Sequence, residues 1–302
     1  MNLSLYSVFR IYKVFRFLVT IFLLIKNKNS FLLLRPLSPK SLRNYITDLG
    51  VSFIKLSQVL ATRSDFFPPP YLHELQKVHD ALPPMKPHEF KKVTQNSLEL
   101  KDFTSFEQEP IASASIGQVH VGYLDGKKVA IKIKRYKIKQ KIKADMFILN
   151  ALLKLFTPLF STMTKNSIES VIKEYTKMLF EEVSFNHERQ NLKRFSQKYA
   201  NSNIIFPTLY EQYCNDDIIV MNFCEGFSFD DKENIVKHNI DIDNVIKNLV
   251  NFYVRQMLLE GYFHADPHPG NLLINKKGEL ILLDFGMVKN IGSFTRMAIV
   301  EL

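Results

Sequence analysis

Cysteine is nearly absent from this sequence. Its 302 residues include two, Cys214 and Cys224, with no C-x-x-C pair. That excludes a disulfide framework, and a reducing compartment fits such usage. A membrane-spanning run is also missing from the N-terminus. Residues 17–25 are apolar apart from Thr20, but nine residues fall short of the roughly twenty that cross a bilayer. No small-residue cleavage site follows Lys26-Asn27-Lys28, so a cleaved secretory leader is not expected. Neither a nucleic-acid recognition motif nor an aromatic stacking platform accompanies the basic stretches, and nucleic acid is not an expected partner.

What is present is a globular composition, 46% hydrophobic and 23% charged, sized for one bilobal domain or two small ones. The formal charge of +10 and pI of about 9.3 favour acidic neighbours such as anionic lipid or nucleotide. Val8, Ile11, Phe15, Leu18 and Phe22 recur at helical spacing with Arg10, Lys13 and Arg16 between them. This predicts a basic amphipathic helix, lying either on a membrane surface or against the protein's own body. Lys134, Arg135, Lys137, Lys139, Lys141 and Lys143 form a second basic run. It reads as a solvated face or as a contact for anionic headgroups.

Residues 39–87 read as mostly helical, interrupted at Pro68-Pro69-Pro70 and resuming from Tyr71 to Leu82. Lys55 and Gln58 stand one turn apart there, a spacing that by itself assigns no chemistry. From Ile111 the pattern changes to strands. The small-residue loop Ala112-Ser113-Ala114-Ser115 leads to a strand ending near Tyr123, Asp125-Gly126 makes a hairpin turn, and Lys128 to Ile133 returns. Lys132 sits in Val129-Ala130-Ile131-Lys132, the form of a kinase's phosphate-pairing lysine. The loop before it carries alanine and serine where such loops are glycine-rich, so it should be stiffer. A long helical region follows from Ser167 to about Tyr199, and Glu181, Glu182 and Glu188 all compete to pair with Lys132. Residues 217–223 read as a buried strand with a hinge at Glu225-Gly226, and residues 242–259 as an amphipathic helix.

The chemistry concentrates in residues 264–286. Asp266 and Asn271 stand in the D-x-x-x-x-N relation of a kinase catalytic loop, and Asp284-Phe285-Gly286 is a D-F-G triplet. Between them, two short strands around Asn275-Lys276-Lys277-Gly278 bring Asp284 back beside Asn271. Phosphoryl transfer needs a carboxylate to orient the attacking hydroxyl, and an amide with a second carboxylate to hold magnesium against the phosphates. His264, Asp266 and His268 also admit a zinc-hydrolase reading, but no further histidine cluster completes such a site.

Together these motifs resemble the UbiB family of atypical kinases, bacterial members included, over about Arg43 to the C-terminus. The carrying residues are Phe53-Ile54-Lys55-Leu56-Ser57-Gln58, residues 110–118, Val129 to Lys132, Glu182 with Glu188 and Asn191, His264 to Asn271, and Asp284 to Gly286. The resemblance implies that Lys132 pairs with nucleotide phosphates and with Glu188, that Asp266 is the catalytic carboxylate, and that Asn271 and Asp284 bind magnesium. Ala112, Ser113, Ala114 and Ser115 match the family's alanine-rich nucleotide loop. Lys55 and Gln58 match its K-x-G-Q element, a regulatory segment that contacts the Glu182 motif and covers the place of a protein substrate.

By the same resemblance the fold is α+β: a protein-kinase-like bilobal fold with an N-terminal helical extension, a small β-rich N-lobe and an incomplete helical C-lobe. Four segments are expected: a basic N-terminal segment over 1–36, a helical extension over 37–100, an N-lobe with inserted helices over 101–223, and a partial C-lobe over 224–302. ATP and Mg²⁺ are the implied cofactors. The implied function is a kinase or ATPase supporting isoprenoid quinone, usually ubiquinone, biosynthesis. Its implied place is peripheral, on the cytoplasmic side of the inner membrane, with a quinone or isoprenoid lipid and other quinone-biosynthesis proteins as partners. Two alternatives stand beside it, a pseudokinase or lipid-binding accessory protein and an aminoglycoside- or choline-kinase-like phosphotransferase. Three departures from the family pattern stand out: Ser57 replaces the glycine of K-x-G-Q, Ser184 replaces the aspartate of the Glu182 motif, and the chain ends sixteen residues after Gly286. The first two should loosen the regulatory contact, and the third suggests a truncated or split gene product.

Overall fold

The computed structural model describes residues 7–78, 82–98 and 102–301. The expected helical run toward Leu82 therefore passes through 79–81, outside the described residues. The chain divides into two compact units interleaved in sequence: residues 1–89, 113–118 and 135–183 form the first, and 90–112, 119–134 and 184–302 the second.

The first unit is helical. It contains α1 (Val8–Ile25), α2 (Pro39–Leu49), α3 (Val51–Leu60), α4 (Pro69–Gln76), the start of α5 (Pro87–Ser97), α6 (Ile138–Phe156) and α7 (Thr162–Glu182). Ser7, Ser38 and Ser161 cap α1, α2 and α7, each accepting the N–H three residues on. Gly50, at φ 83°, closes α2 and opens α3 with a backbone that a side chain would resist. Phe53 and Ile54 are buried, as are Phe17, Leu42, Ile46 and Leu49. The two readings of the N-terminal helix separate along its length. Leu18 and Phe22 are buried with Phe17, Val19, Ile21 and Leu23, whereas Val8 and Ile11 remain exposed. Its second half is thus packed on α6 of its own unit, and Asp145 of α6 accepts from Arg10 Nε at 2.6 Å and Ser52 Oγ at 2.7 Å.

The second unit carries the sheets. β1 (Ser105–Phe106), β2 (Ala112–Ser113), β3 (Gly117–Leu124), β4 (Lys127–Lys134) and β6 (Ile218–Asn222) form a sheet in the order β1-β3-β4-β6, with β2 on β3. The Asp125-Gly126 turn adopts φ 48° and 74°, the left-handed pair that its sequence favours. β6 runs antiparallel to β4 and sets Ile219 opposite Lys132. Where one long helix was expected, α7 ends at Glu182 and α8 spans Phe185–Lys198. Ser184 makes the break: its backbone is extended, and its hydroxyl caps α8 by accepting His187 N–H.

β5 (Ile204–Ile205) pairs with β9 (Leu280–Leu282), which also pairs with β8 (Leu272–Ile274) in the expected hairpin. The helices α9 (Lys232–Lys237) and α10 (Ile242–Val254) precede β7 (Tyr262–His264), whose partner is β10 (Val288–Asn290), and α11 (Ser293–Glu301) follows. The helix expected over 242–259 is α-helical only to Val254; Arg255–Glu260 is a π-helical turn. The wider turn brings Gln256 to His264, whose N–H it accepts at 2.8 Å. Phe195, Tyr199, Tyr262, Leu272, Leu282 and Phe285 are buried together beneath these elements.

Candidate nucleotide and phosphoryl-transfer site

The centre of the second unit is a lysine between two carboxylates. β4 carries Lys132 and α8 carries Glu188, while Asp284 follows β9. Lys132 Nζ lies 2.7 and 2.8 Å from the Glu188 oxygens and 2.7 Å from Asp284 Oδ2. Of the three glutamates competing on sequence, Glu188 is the one at Lys132. Glu182 ends α7 in the other unit.

Two carboxylates around one ammonium titrate apart. Glu188, only 6% exposed, is pushed up to about 7, by burial first and then by the charge of Asp284, against the pull of Lys132. Asp284 keeps 37% of its side chain open, so burial opposes its ionisation less than Lys132 and the Gly286 N–H favour it; it is held at about 2. Burial works against the Lys132 charge, but Asp284 and Glu188 outweigh it and hold the ammonium charged well above its usual range.

The loop residues are fixed around this pair. His264 Nε2 donates to the carbonyl of Asp284, which can only accept, so the ring proton sits on Nε2. Nδ1 is then the acceptor for Asp266 N–H at 3.4 Å and faces the Tyr253 hydroxyl at the same distance. Burial keeps this ring neutral by lowering its pKa. It therefore bridges the D-x-x-x-x-N loop to the D-F-G turn. Asn271 Nδ2 donates to Asp266 Oδ2 at 2.9 Å, and Leu283 N–H donates to the Asn271 carbonyl at 3.0 Å, which brings the two motifs side by side. Asn191 Nδ2 donates to the Phe285 carbonyl at 2.9 Å, and the Phe285 ring is fully buried. α8 thus holds both Lys132 and the D-F-G turn.

In the first unit, Lys55 Nζ of α3 lies 2.5 Å from Glu182 Oε1 at the end of α7, both largely buried. Gln58 is exposed one turn farther on. Ser57 turns its hydroxyl back onto the Ile54 carbonyl at 2.6 Å, within its own helix. In the small-residue loop, Ala112 and Ala114 are exposed, Ser113 is half-buried and Ser115 is buried. Arg135 fastens this loop, donating to the Ala114 carbonyl at 2.8 Å and to Ser113 Oγ at 3.0 Å. Arg135 belonged to the basic run and Gln256 to an apolar helix face, so sequence reasoning missed both. A glutamine four residues after the buried Phe252 was the one available signal for the second. Among the described residues no group of three or more His, Cys, Asp or Glu gathers as a metal site, and the ring of His264 is committed to the loop.

The architecture and this lysine–carboxylate centre define a kinase-like fold. Residues 77–302 match the model of the ABC1 atypical kinase-like domain. The chain is 34% identical over 265 residues to Arabidopsis thaliana protein activity of bc1 complex kinase 3, chloroplastic, covering 86% of this chain and 37% of that protein. It is 32% identical over 269 residues to an uncharacterised Clostridium pasteurianum protein of the hydrogenase 1 5′ region, covering 87% of this chain and 50% of the relative. A Mycobacterium tuberculosis protein solved in complex with erythromycin shares the fold, with a TM-score of 0.54 and 24% identity over 78% of this chain and 59% of that one. The chain belongs to the ABC1 atypical kinase-like family, the family that the sequence motifs resemble under its UbiB name. It spans between 37% and 50% of the length of these two curated relatives.

Proposed function

We infer that the second unit binds ATP with Mg²⁺ and transfers or hydrolyses the γ-phosphate. The single observation that carries this is Lys132 held between Glu188 and Asp284 at 2.7–2.8 Å, beside an Asp266–Asn271 pair. An ammonium has three N–H donors, and all three here face carboxylate oxygens. A phosphate oxygen reaches Lys132 by taking the place of Asp284 Oδ2, while Glu188 keeps the lysine aimed. The donor chemistry fits magnesium. Asp284 offers a carboxylate, and Asn271 turns its NH₂ to Asp266, leaving its amide oxygen as a second hard ligand. Bound there, the ion would neutralise phosphate charge. Asp266 serves as the carboxylate that orients the attacking hydroxyl or water, and His264 holds the loop at the D-F-G turn.

The finer role follows the family resemblance: support of isoprenoid quinone biosynthesis of the ubiquinone type. The Arabidopsis relative's name connects it with a bc1 complex, which agrees with a quinone setting. ATP turnover by the purified chain tests the chemistry. Asp266→Asn should lower it roughly 10²–10⁴-fold with nucleotide affinity nearly unchanged, and equal turnover would reduce Asp266 to a loop-shaping residue. Quinone extracted from cells with and without the gene tests the role; unchanged quinone content would remove it.

A further inference from the structure

A single guanidinium holds the small-residue loop. Arg135 follows β4 directly, three residues after Lys132. Its Nε donates to the Ala114 carbonyl at 2.8 Å, and its Nη2 reaches Ser113 Oγ at 3.0 Å and the Pro83 carbonyl at 2.9 Å. Its backbone N–H donates to the Ile116 carbonyl at 2.8 Å. The anchor on the far side is stiff. Residues 82–85 read Leu-Pro-Pro-Met, and the two prolines fix that backbone. Met85 N–H donates to Oε1 of the buried Gln118 at 2.8 Å, and Tyr136 N–H points to Met85 Sδ at 3.4 Å. Residues 82–85, 113–118 and 135–136 all belong to the first unit, so the fastening is internal to it.

Ordering a loop costs backbone entropy that its contacts must offset. Ala112 and Ala114 are exposed and supply little packing. Arg135 supplies hydrogen bonds instead, and a guanidinium suits the task because its donors are coplanar and fixed relative to one another. The fork is not engaged as an ion pair. It donates to carbonyls and a hydroxyl, and burial works against its charge more strongly than Glu89 supports it. A cation kept there at a cost, with neutral backbone as its acceptor, shapes the chain around it.

The fork also orients a donor. A trans peptide is planar, so a carbonyl and the N–H that follows it lie on opposite sides of the chain. With the Ala114 carbonyl turned to Arg135, the Ser115 N–H faces away from it. Among the described residues this N–H has no hydrogen-bond acceptor, although Ser115 is only 2% exposed. Buried backbone donors are nearly always paired. An unpaired one, held in a fixed direction on a loop of small residues, suits a phosphate oxygen.

We propose that Arg135 is a positioning residue for nucleotide: it fixes residues 113–115 against residues 82–83 and so holds the Ser115 N–H in place for a phosphate oxygen of ATP. The proposal rests on the nucleotide reading above and adds to it a residue outside the lysine–carboxylate centre.

The test compares MgATP with adenosine, which has no phosphate, by calorimetry on the full chain, with melting temperatures to confirm that each variant is folded. The wild type should bind both, adenosine more weakly. Arg135→Ala should bind MgATP about tenfold more weakly, the worth of one hydrogen bond to a charged group, and should bind adenosine as the wild type does. Arg135→Lys keeps the charge but loses the fork, so its MgATP affinity should fall with that of the alanine variant. Ser113→Ala removes one acceptor and should weaken MgATP about two- to threefold; it carries the test if Arg135→Ala does not fold. Wild-type MgATP affinity in folded Arg135→Ala overturns the proposal. An equal loss for MgATP and adenosine also overturns it, because that marks a general loosening. Wild-type affinity in Arg135→Lys overturns it as well, reducing Arg135 to a source of positive charge. If the wild type itself binds neither ligand, the nucleotide reading fails and the proposal falls with it.

Discussion

Glu188 and Asp284 share the ammonium of Lys132, which lies 2.7 and 2.8 Å from the two oxygens of the first and 2.7 Å from Oδ2 of the second. The helix residue is buried and the turn residue partly open, so the two carboxylates respond to pH in opposite directions. In its folded surroundings Glu188 is raised from 4.5 to about 7. The folded state therefore holds a proton that the unfolded chain releases in this window. The stabilisation is fully present below pH 4.5 and is lost as pH rises through about 7. Asp284 is lowered from 3.8 to about 2, so its contribution is present above 3.8 and is lost as pH falls through about 2. In urea unfolding, the stability of the wild type relative to Glu188→Gln should decline between pH 4.5 and 7. A difference that stays flat across that window would contradict the assignment.

Asn191 ties α8 to the D-F-G turn through the Phe285 carbonyl. Asn191→Leu should cost about 1–3 kcal/mol, because that buried carbonyl loses its donor. Turnover should fall with it, since Asp284 adjoins the freed segment. Denaturant unfolding and single-turnover kinetics on the same variant check both effects.

In the first unit, Lys55 and Glu182 form a largely buried pair at 2.5 Å. Lys55→Ala should destabilise by about 3 kcal/mol, because it leaves a carboxylate without its cation in poor solvent contact. Lys55→Met/Glu182→Gln should recover much of that loss. A Lys55→Ala chain as stable as the wild type would show that water solvates Glu182 freely.

Ser184 was expected, from its place in the family pattern, to weaken the contact at Lys55. The structure gives it a separate task as the cap of α8. Ser184→Ala should therefore cost about 1 kcal/mol, whereas Ser184→Asp should be neutral or slightly stabilising, since aspartate caps as well as serine. Thermal unfolding of the two variants distinguishes capping from the charge effect.

Much of the site was legible because its spacing is dictated by chemistry. D-x-x-x-x-N and D-F-G around a short hairpin are recognisable wherever they occur, and the Asp125-Gly126 and Asn275–Gly278 turns announce their own strands. The lysine's partner was less legible. Glu181, Glu182 and Glu188 fall in one helical stretch, and only the break at Ser184 sends Glu182 and Glu188 to different lysines. A serine inside a helical pattern reads equally well as a tolerated interior residue. The π-turn over Arg255–Glu260 shifts the helical register, so a 3.6-residue periodicity could not aim Gln256 at His264. The Leu32-Leu33 turn, at φ 48° and 64°, was invisible because turn chemistry is read from Asn, Asp and Gly, and this turn contains none.

The measurement closest to the central claim is magnesium-dependent ATP binding by the purified chain, followed by calorimetry, for the wild type, Lys132→Ala and Asp284→Asn. Saturable binding is expected in the wild type, weak without Mg²⁺ and strengthened by it. Lys132→Ala should weaken it with and without the metal, whereas Asp284→Asn should weaken it only when the metal is present. Absence of any nucleotide binding in the folded wild type, or equal affinity in all three chains, would contradict a phosphoryl-transfer site built on Lys132, Glu188 and Asp284.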